Sequence, residues 1–378
     1  MLDEDGNLWL TARVRPAPNP AFCKAGSDNP SAKLYPLETS GRQAEMYDPK
    51  TGKFMLANLC FSTHHLQFAS DANDTLFFSA GGGNSNVLGW LNARLFEQTG
   101  DANKAQGWTA LVLDTNGNGK RDAYVEPGQP ADPAKDTRIL GDTYGIAVSP
   151  VDGSVWGSVL GYPGKLIRVS LGSNPPATAL TEVYDVPLDD PRAPVHGFSP
   201  RGMDIDRNGV VWAPLASGHL ASFDRRKCKG PLSGPAATGK QCPEGWTLYP
   251  LPGPQFEGLA ESGSAEASYY TWVDQFDNAR AGQERPDRDG QRGRFVRRAR
   301  QRQVRRDART VSARLLRQER RRADRRPEQR LERTRHVDDV RFADALPHGD
   351  RQGDAPQGLA HPDPSQPARG LTGTGPSP

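Results

Sequence analysis

Residues 206–212 read Asp206-Arg207-Asn208-Gly209-Val210-Val211-Trp212. An Asn-Gly pair between two short apolar runs specifies a tight turn, because glycine readily takes the positive φ that hairpin turns require. The run before it, GMDID at 202–206, is an entering strand, and the run after it leaves carrying an aromatic residue. The same pattern occurs at Asp3-Glu4-Asp5-Gly6-Asn7-Leu8-Trp9 and at Pro150-Val151-Asp152-Gly153-Ser154-Val155-Trp156. A weaker copy is Asp71-Ala72-Asn73-Asp74-Thr75-Leu76-Phe77. Entering strands are also expected at LQFAS (66–70) and GIAVS (145–149), and two copies continue into a further strand, GKLIRVSL at 164–171 and GHLASFD at 218–224.

Strand, turn, strand, turn, strand, repeated, describes the blade of a β-propeller. One hairpin is marginal alone, but stacked blades bury its aromatic against a neighbour. The copies are unevenly spaced, so some intervals hold insertions or more than one blade. A β-sandwich also turns this often; the fixed place of the aromatic favours the propeller. Only the stretch VLGWLNARLFEQTG at 87–100 hints at a helix.

The repeat resembles the propellers of streptogramin lyase (virginiamycin B lyase-like) proteins. Residues 1–278 also resemble the propeller part of larger bacterial secreted proteins that carry a carboxypeptidase regulatory-like domain. The resemblance implies a propeller fold and, for the lyase, histidines and a glutamate around a central metal. That spacing is not evident in this chain, and the catalytic candidates are His64 and His65, before one entering strand, and His196, before another. Propellers host many functions, so the sequence leaves open whether the chain is an enzyme. The first expectation is a propeller that binds a small molecule, glycan or protein partner. The alternative is a metal-dependent streptogramin-lyase-like C–O lyase or hydrolase.

Composition divides the chain. Residues 1–278 carry a net charge of −8; residues 279–378 hold 25 Arg, no Lys and 14 acids, a net of +11. All seven Trp and all nine Tyr precede the break, and the second part has only Phe295 and Phe342 as aromatics. Such a segment cannot bury enough apolar surface to order itself. The expected architecture is therefore all-β: an incomplete, open propeller over 1–278, then an Arg-rich tail over 279–378 that is disordered or only spuriously helical. A nucleic-acid arm would use Lys as well as Arg and often brings aromatics for base stacking; the tail does neither, which disfavours nucleic acid as a partner. Arg-only basicity instead fits an out-of-frame reading of a GC-rich gene. Shifting the frame by one base permits a protein-like continuation from about residue 278, with an NGKF hairpin and a Trp-bearing strand. The tail is accordingly expected to be out-of-frame translation and the chain a fragment at both ends.

No apolar run is long enough to span a membrane, and Met1-Leu2-Asp3 does not open a signal peptide. The four cysteines form no CxxC. Cys228 and Cys242 close a Gly/Pro-rich loop, CKGPLSGPAATGKQC, that suits a disulfide, and Cys23 and Cys60 remain as the second pair. An even count in turn-rich sequence points to an oxidising compartment, the periplasm or the exterior, for the parent protein.

The sharpest site motif is DTNGNGKRD at 114–122. Asp114, Asn116 and Asn118 alternate, Gly119 permits the turn, the Lys120 carbonyl follows, and Asp122 is ninth. Oxygens at this spacing converge on calcium. Position 12 is Val125 and Glu126 comes one place late, so this is not a full EF-hand loop. A metal-free polar turn would use the same residues. Finally, Glu266, Tyr269, Tyr270, Trp272 and Asp274 form an aromatic and acidic cluster suited to a carbohydrate or peptide, or to the core of a last blade.

Overall fold

The computed structural model describes residues 1–12, 17–41, 43–80, 85–255, 263–265 and 268–275. The Arg-rich tail, with everything expected of it, lies outside the described residues, as does Glu266.

The first sheet pairs β1 (Leu8–Ala12) with β4 (Gln43–Asp48) and β4 with β5 (Lys53–Ala57), all antiparallel. Between β1 and β4 lie a small ladder, β2 (Ala17–Pro18) with β3 (Thr39–Ser40), and the short helix α1 (Pro30–Leu34). Asn29 caps α1, its Oδ1 accepting the N–H groups of Ser31 and Ala32. The Cys23–Cys60 disulfide, with Cα atoms 5.4 Å apart, ties this insertion to the chain after β5.

The second sheet runs β6 (Leu66–Phe68), β7 (Thr75–Phe78), β8 (Val87–Asn92), β9 (Gln106–Ala110) in simple up-and-down order. The helical hint at 87–100 resolves into strand β8 followed by α2 (Ala93–Thr99). The helix starts late because Asn92 is its cap, accepting the Leu95 N–H, and it stops at Gly100 with φ +65°. A further turn of helix, α3 (Ala102–Ala105), leads into β9.

Strands β10 (Val112–Leu113), β11 (Tyr124–Val125) and β12 (Asp136–Arg138) extend the outer edge of the third sheet. Its blade-like part is β13 (Ile146–Val148), β14 (Val155–Val159), β15 (Lys165–Ser170) and β16 (Leu180–Asp185), and β10 adds to β16 in parallel at Leu113–Thr181. The fourth sheet is β17 (Asp204–Ile205), β18 (Val211–Leu215), β19 (His219–Phe223) and β20 (Trp246–Pro250). The second disulfide, Cys228–Cys242, closes the β19–β20 connection.

The first strands of three successive sheets lie side by side: β13 contacts both β6 and β17. Residues 268–275 run parallel to β17, through the Gly202–Tyr270 bridge and the N–H of Val273 on Asp204 Oδ2 at 2.7 Å. Neighbouring inner strands, each opening an up-and-down sheet, give a β-propeller-like arrangement. Among the described residues the sheets do not close into a complete propeller. On the first sheet Leu10, Phe54 and Leu56 share a face and are exposed, while Trp9, Ala44, Met46 and Ala57 on the other face are buried.

The repeat has a physical basis beyond its turn. Asp206 Oδ1 accepts the N–H groups of Asn208 and Val210, and its Oδ2 accepts the indole N–H of Trp212 at 3.2 Å. Asp3 repeats this with Asp5, Asn7 and Trp9, the indole bond being 2.8 Å. At the third copy Ser154 intervenes: Trp156 donates to Ser154 Oγ, which donates to Asp152. In the weaker copy Asp71 still caps the turn, on the N–H groups of Asn73 and Thr75, but Phe77 has no N–H to offer. One aspartate thus fixes both the turn and the aromatic ring. The rings then fill the spaces between sheets: Trp9 against Phe68 and Phe96, and Trp156 stacked on Tyr184 near Phe223.

Candidate functional site

The residues just before each inner strand converge. His64 and His65 precede β6, Tyr144 precedes β13, and Arg201 precedes β17. The rings of His64 and His65 are 4.0 Å apart, and Tyr144 lies 5.1 Å from the first and 5.3 Å from the second. Residues 268–275 bring three more aromatics. Tyr270 packs 5.0 Å from His65 and its hydroxyl is hydrogen-bonded to His65 Nε2. Tyr269 sits 6.0 Å from Tyr144, with the Arg201 guanidinium 4.8 Å above its ring. Trp272 stacks on Tyr270 at 5.5 Å and is 73% exposed; Tyr269 is 55% exposed.

Burial decides the protonation states. Desolvation, then the neighbouring His64, holds His65 down to about 4, so its imidazole is neutral near pH 7. Burial, then the neighbouring tyrosines, pushes the Tyr270 phenol up, and burial likewise raises Tyr144. A protonated phenol beside a neutral imidazole makes an uncharged hydrogen bond, with the donor set by the imidazole tautomer. The site therefore offers a neutral hydrogen-bonding pair on a half-buried floor, an exposed aromatic platform, and one guanidinium at the side. This suits a ligand with an apolar ring face and polar edges.

Of the catalytic candidates, the structure brings His64 and His65 together, and His196 lies between β16 and β17. Its Nε2 lies 3.2 Å from the carbonyl oxygen of Asp190, in the connection between the third and fourth sheets. Among the described residues, no three His, Cys, Asp or Glu side chains converge so as to hold a metal ion. Sequence reasoning missed Tyr144 and Arg201. Aligning the chain on its entering strands, rather than on its turns, would have placed both beside the histidine pair.

The 114–122 loop lies elsewhere, on the outer edge of the third sheet. Asp114 Oδ1 accepts the N–H groups of Gly117 and Asn118, and Oδ2 that of Gly119. The amides of Asn116 and Asn118 donate to Asp122 Oδ2, at 2.9 and 2.6 Å, and the Lys120 N–H donates to Asn118 Oδ1. The disulfide-closed loop docks here too, Gly234 N donating to the Asp114 carbonyl at 2.7 Å.

No protein-family profile and no curated protein matches the chain. Among solved structures it is similar to a luciferin-regenerating enzyme, with 12% identity over 49% of this chain and a TM-score of 0.20. It is also similar to a calcium-binding protein, regucalcin, from Agrobacterium tumefaciens, with 15% identity over 50% of this chain and a TM-score of 0.21. The chain spans 66% of the length of each. Similarity at this level carries no functional argument.

Proposed function

We propose that residues 1–278 are the ligand-binding propeller portion of an extracytoplasmic bacterial protein, and that the ligand is a glycan seated on Trp272 and Tyr270. The observation that carries this reading is the platform itself: a tryptophan 73% exposed, stacked on a tyrosine whose hydroxyl is tied to a half-buried histidine. Exposing so much apolar ring surface is unfavourable unless a partner covers it. A sugar offers a C–H face to the rings and hydroxyls to the imidazole and phenol. Arg201 beside Tyr269 suits an acidic or hydroxyl-rich edge. The two disulfides support a site of action outside the cytoplasm.

The adjacency of His64 and His65 favours the lyase alternative in one respect, since two imidazoles 4.0 Å apart are a pair of potential ligands. The binding reading is preferred because the ring contacts of the pair are with Tyr144 and Tyr270 and the exposed rings of Trp272 and Tyr269 adjoin these tyrosines. A panel of immobilised glycans, probed with the full chain and with Trp272→Ala, tests it. Selective capture that Trp272→Ala loses supports the proposal; no capture, or equal capture by both proteins, overturns it.

A further inference from the structure

The guanidinium of Arg201 is placed by its backbone. The Arg201 N–H donates to the Pro214 carbonyl at 2.9 Å, and the Arg201 carbonyl accepts the Ser158 hydroxyl at 2.6 Å. The residue is thus tied to β14 and β18 at the entrance to β17. Its side chain is half-buried, with the guanidinium 4.8 Å above the Tyr269 ring, and Tyr269 packs 6.2 Å from Tyr270. The cation therefore stands on the same run of rings as the exposed Trp272. Other described guanidinium groups are engaged within the fold. Arg94, Arg138, Arg168, Arg192, Arg225 and Arg226 each pair with a carboxylate, and Arg121 donates to Thr109 and to two backbone carbonyls. That of Arg201 makes no ion pair and no hydrogen bond among the described residues. Asp204, at the start of β17, is engaged elsewhere: its Oδ1 accepts the Ile205 N–H and its Oδ2 the Val273 N–H.

We propose, resting on the glycan reading of the Trp272 and Tyr270 rings, that the glycan is acidic and that Arg201 selects its anionic group, a uronate carboxylate or a sulfate ester. A ring face takes up none of the guanidinium N–H donors in conventional hydrogen bonds, so they remain for a ligand. Their planar fork matches the edge of a carboxylate or sulfate, and bonds to an ionised acceptor are about twice as strong as bonds to a neutral hydroxyl. Partial burial sharpens the preference. It already removes some of the water that would solvate the cation, and a neutral ligand removes more without returning a charge. An anion offsets that loss. The wider field works against such a ligand, since residues 1–278 carry a net charge of −8. An acidic glycan held here is therefore held by a local contact, and Arg201 supplies it.

The test titrates the full chain by calorimetry with an oligogalacturonate and its methyl ester, and with a sulfated galactan oligosaccharide and its desulfated form. Within each pair the uncharged member lacks only the anion. The wild type should bind the charged member of a pair about tenfold or more tighter than the uncharged one, an advantage that shrinks as NaCl is added. The pair that shows it identifies the anion. Arg201→Gln should bring the Kd values of that pair together, which the loss of a merely structural contact would not do. Charged members bound no tighter than uncharged ones, or a charge preference unchanged in Arg201→Gln, overturns the proposal. If both members still bind equally and Trp272→Ala loses both, the glycan reading stands without the acidic one. No binding of any of these probes also overturns the proposal, and the immobilised panel then decides the glycan reading separately. Should Arg201→Gln fail to fold, Arg201→Lys keeps the charge without the fork: a reduced preference supports the assignment, and an unchanged one overturns it.

Discussion

Protonating His65 should loosen the site, and the size of the effect follows from its surroundings. In an unfolded chain its imidazole titrates near 6.5; in the fold, burial and the His64 charge hold it to about 4. A histidine depressed in this way favours the folded state when neutral. Its contribution is complete above pH 6.5 and is lost as pH falls from 6.5 through about 4. The difference between these values corresponds to about 3 kcal/mol between pH 7 and pH 4. Because the ring is only part-buried, solvent screening reduces this to about 1–2 kcal/mol. Other groups titrate in the same range, so the quantity to measure is a difference: urea unfolding of the wild type and of His65→Gln, at pH 7 and at pH 4. Glutamine does not titrate. The wild type should lose about 1–2 kcal/mol more than His65→Gln on going to pH 4. Equal losses in the two proteins would mean that His65 is not a desolvated neutral imidazole held by Tyr270.

Three further outcomes are expected. Asp206→Ala removes two turn bonds and the Trp212 indole bond, and should cost about 1–3 kcal/mol in denaturant unfolding; Asp71→Ala, which has no indole to lose, should cost less, and the reverse order would refute the aspartate–indole account. Removing Cys228–Cys242, which closes 14 residues, should cost about 3 kcal/mol, and removing Cys23–Cys60, which closes 37, about 4 kcal/mol; free thiols detected in denatured, oxidatively produced protein would contradict both pairings. Sequencing the gene around codon 278 should show that a one-base change opens a frame encoding an NGKF hairpin and a Trp-bearing strand; a frame closed by stop codons would make the basic tail a genuine part of the protein.

What the sequence disclosed was local. Turns at Gly6, Gly153 and Gly209 were legible because positive φ at those places is nearly a glycine property, and all three have it. The cysteine pairs were legible because few pairings exist and one loop is short. The assembly of the sheets was not, since it depends on contacts between segments far apart. Nothing in two residues, Val112-Leu113, announces a strand that adds in parallel to β16. The same holds for the site. His64 and His65 stand out by type, whereas Tyr144 and Arg201 are ordinary until the inner strands set them side by side.

Trp272 and Tyr270, standing on the His65 floor, are proposed to hold the ligand. The most direct measurement is the Kd of the best glycan from the panel, by calorimetry, for the full-length wild type and Trp272→Ala. Truncating a ring that carries most of the contact should cost about 2 kcal/mol, a weakening of more than tenfold, with the Tm unchanged because the indole is exposed. A Kd unaltered by Trp272→Ala would contradict the claim.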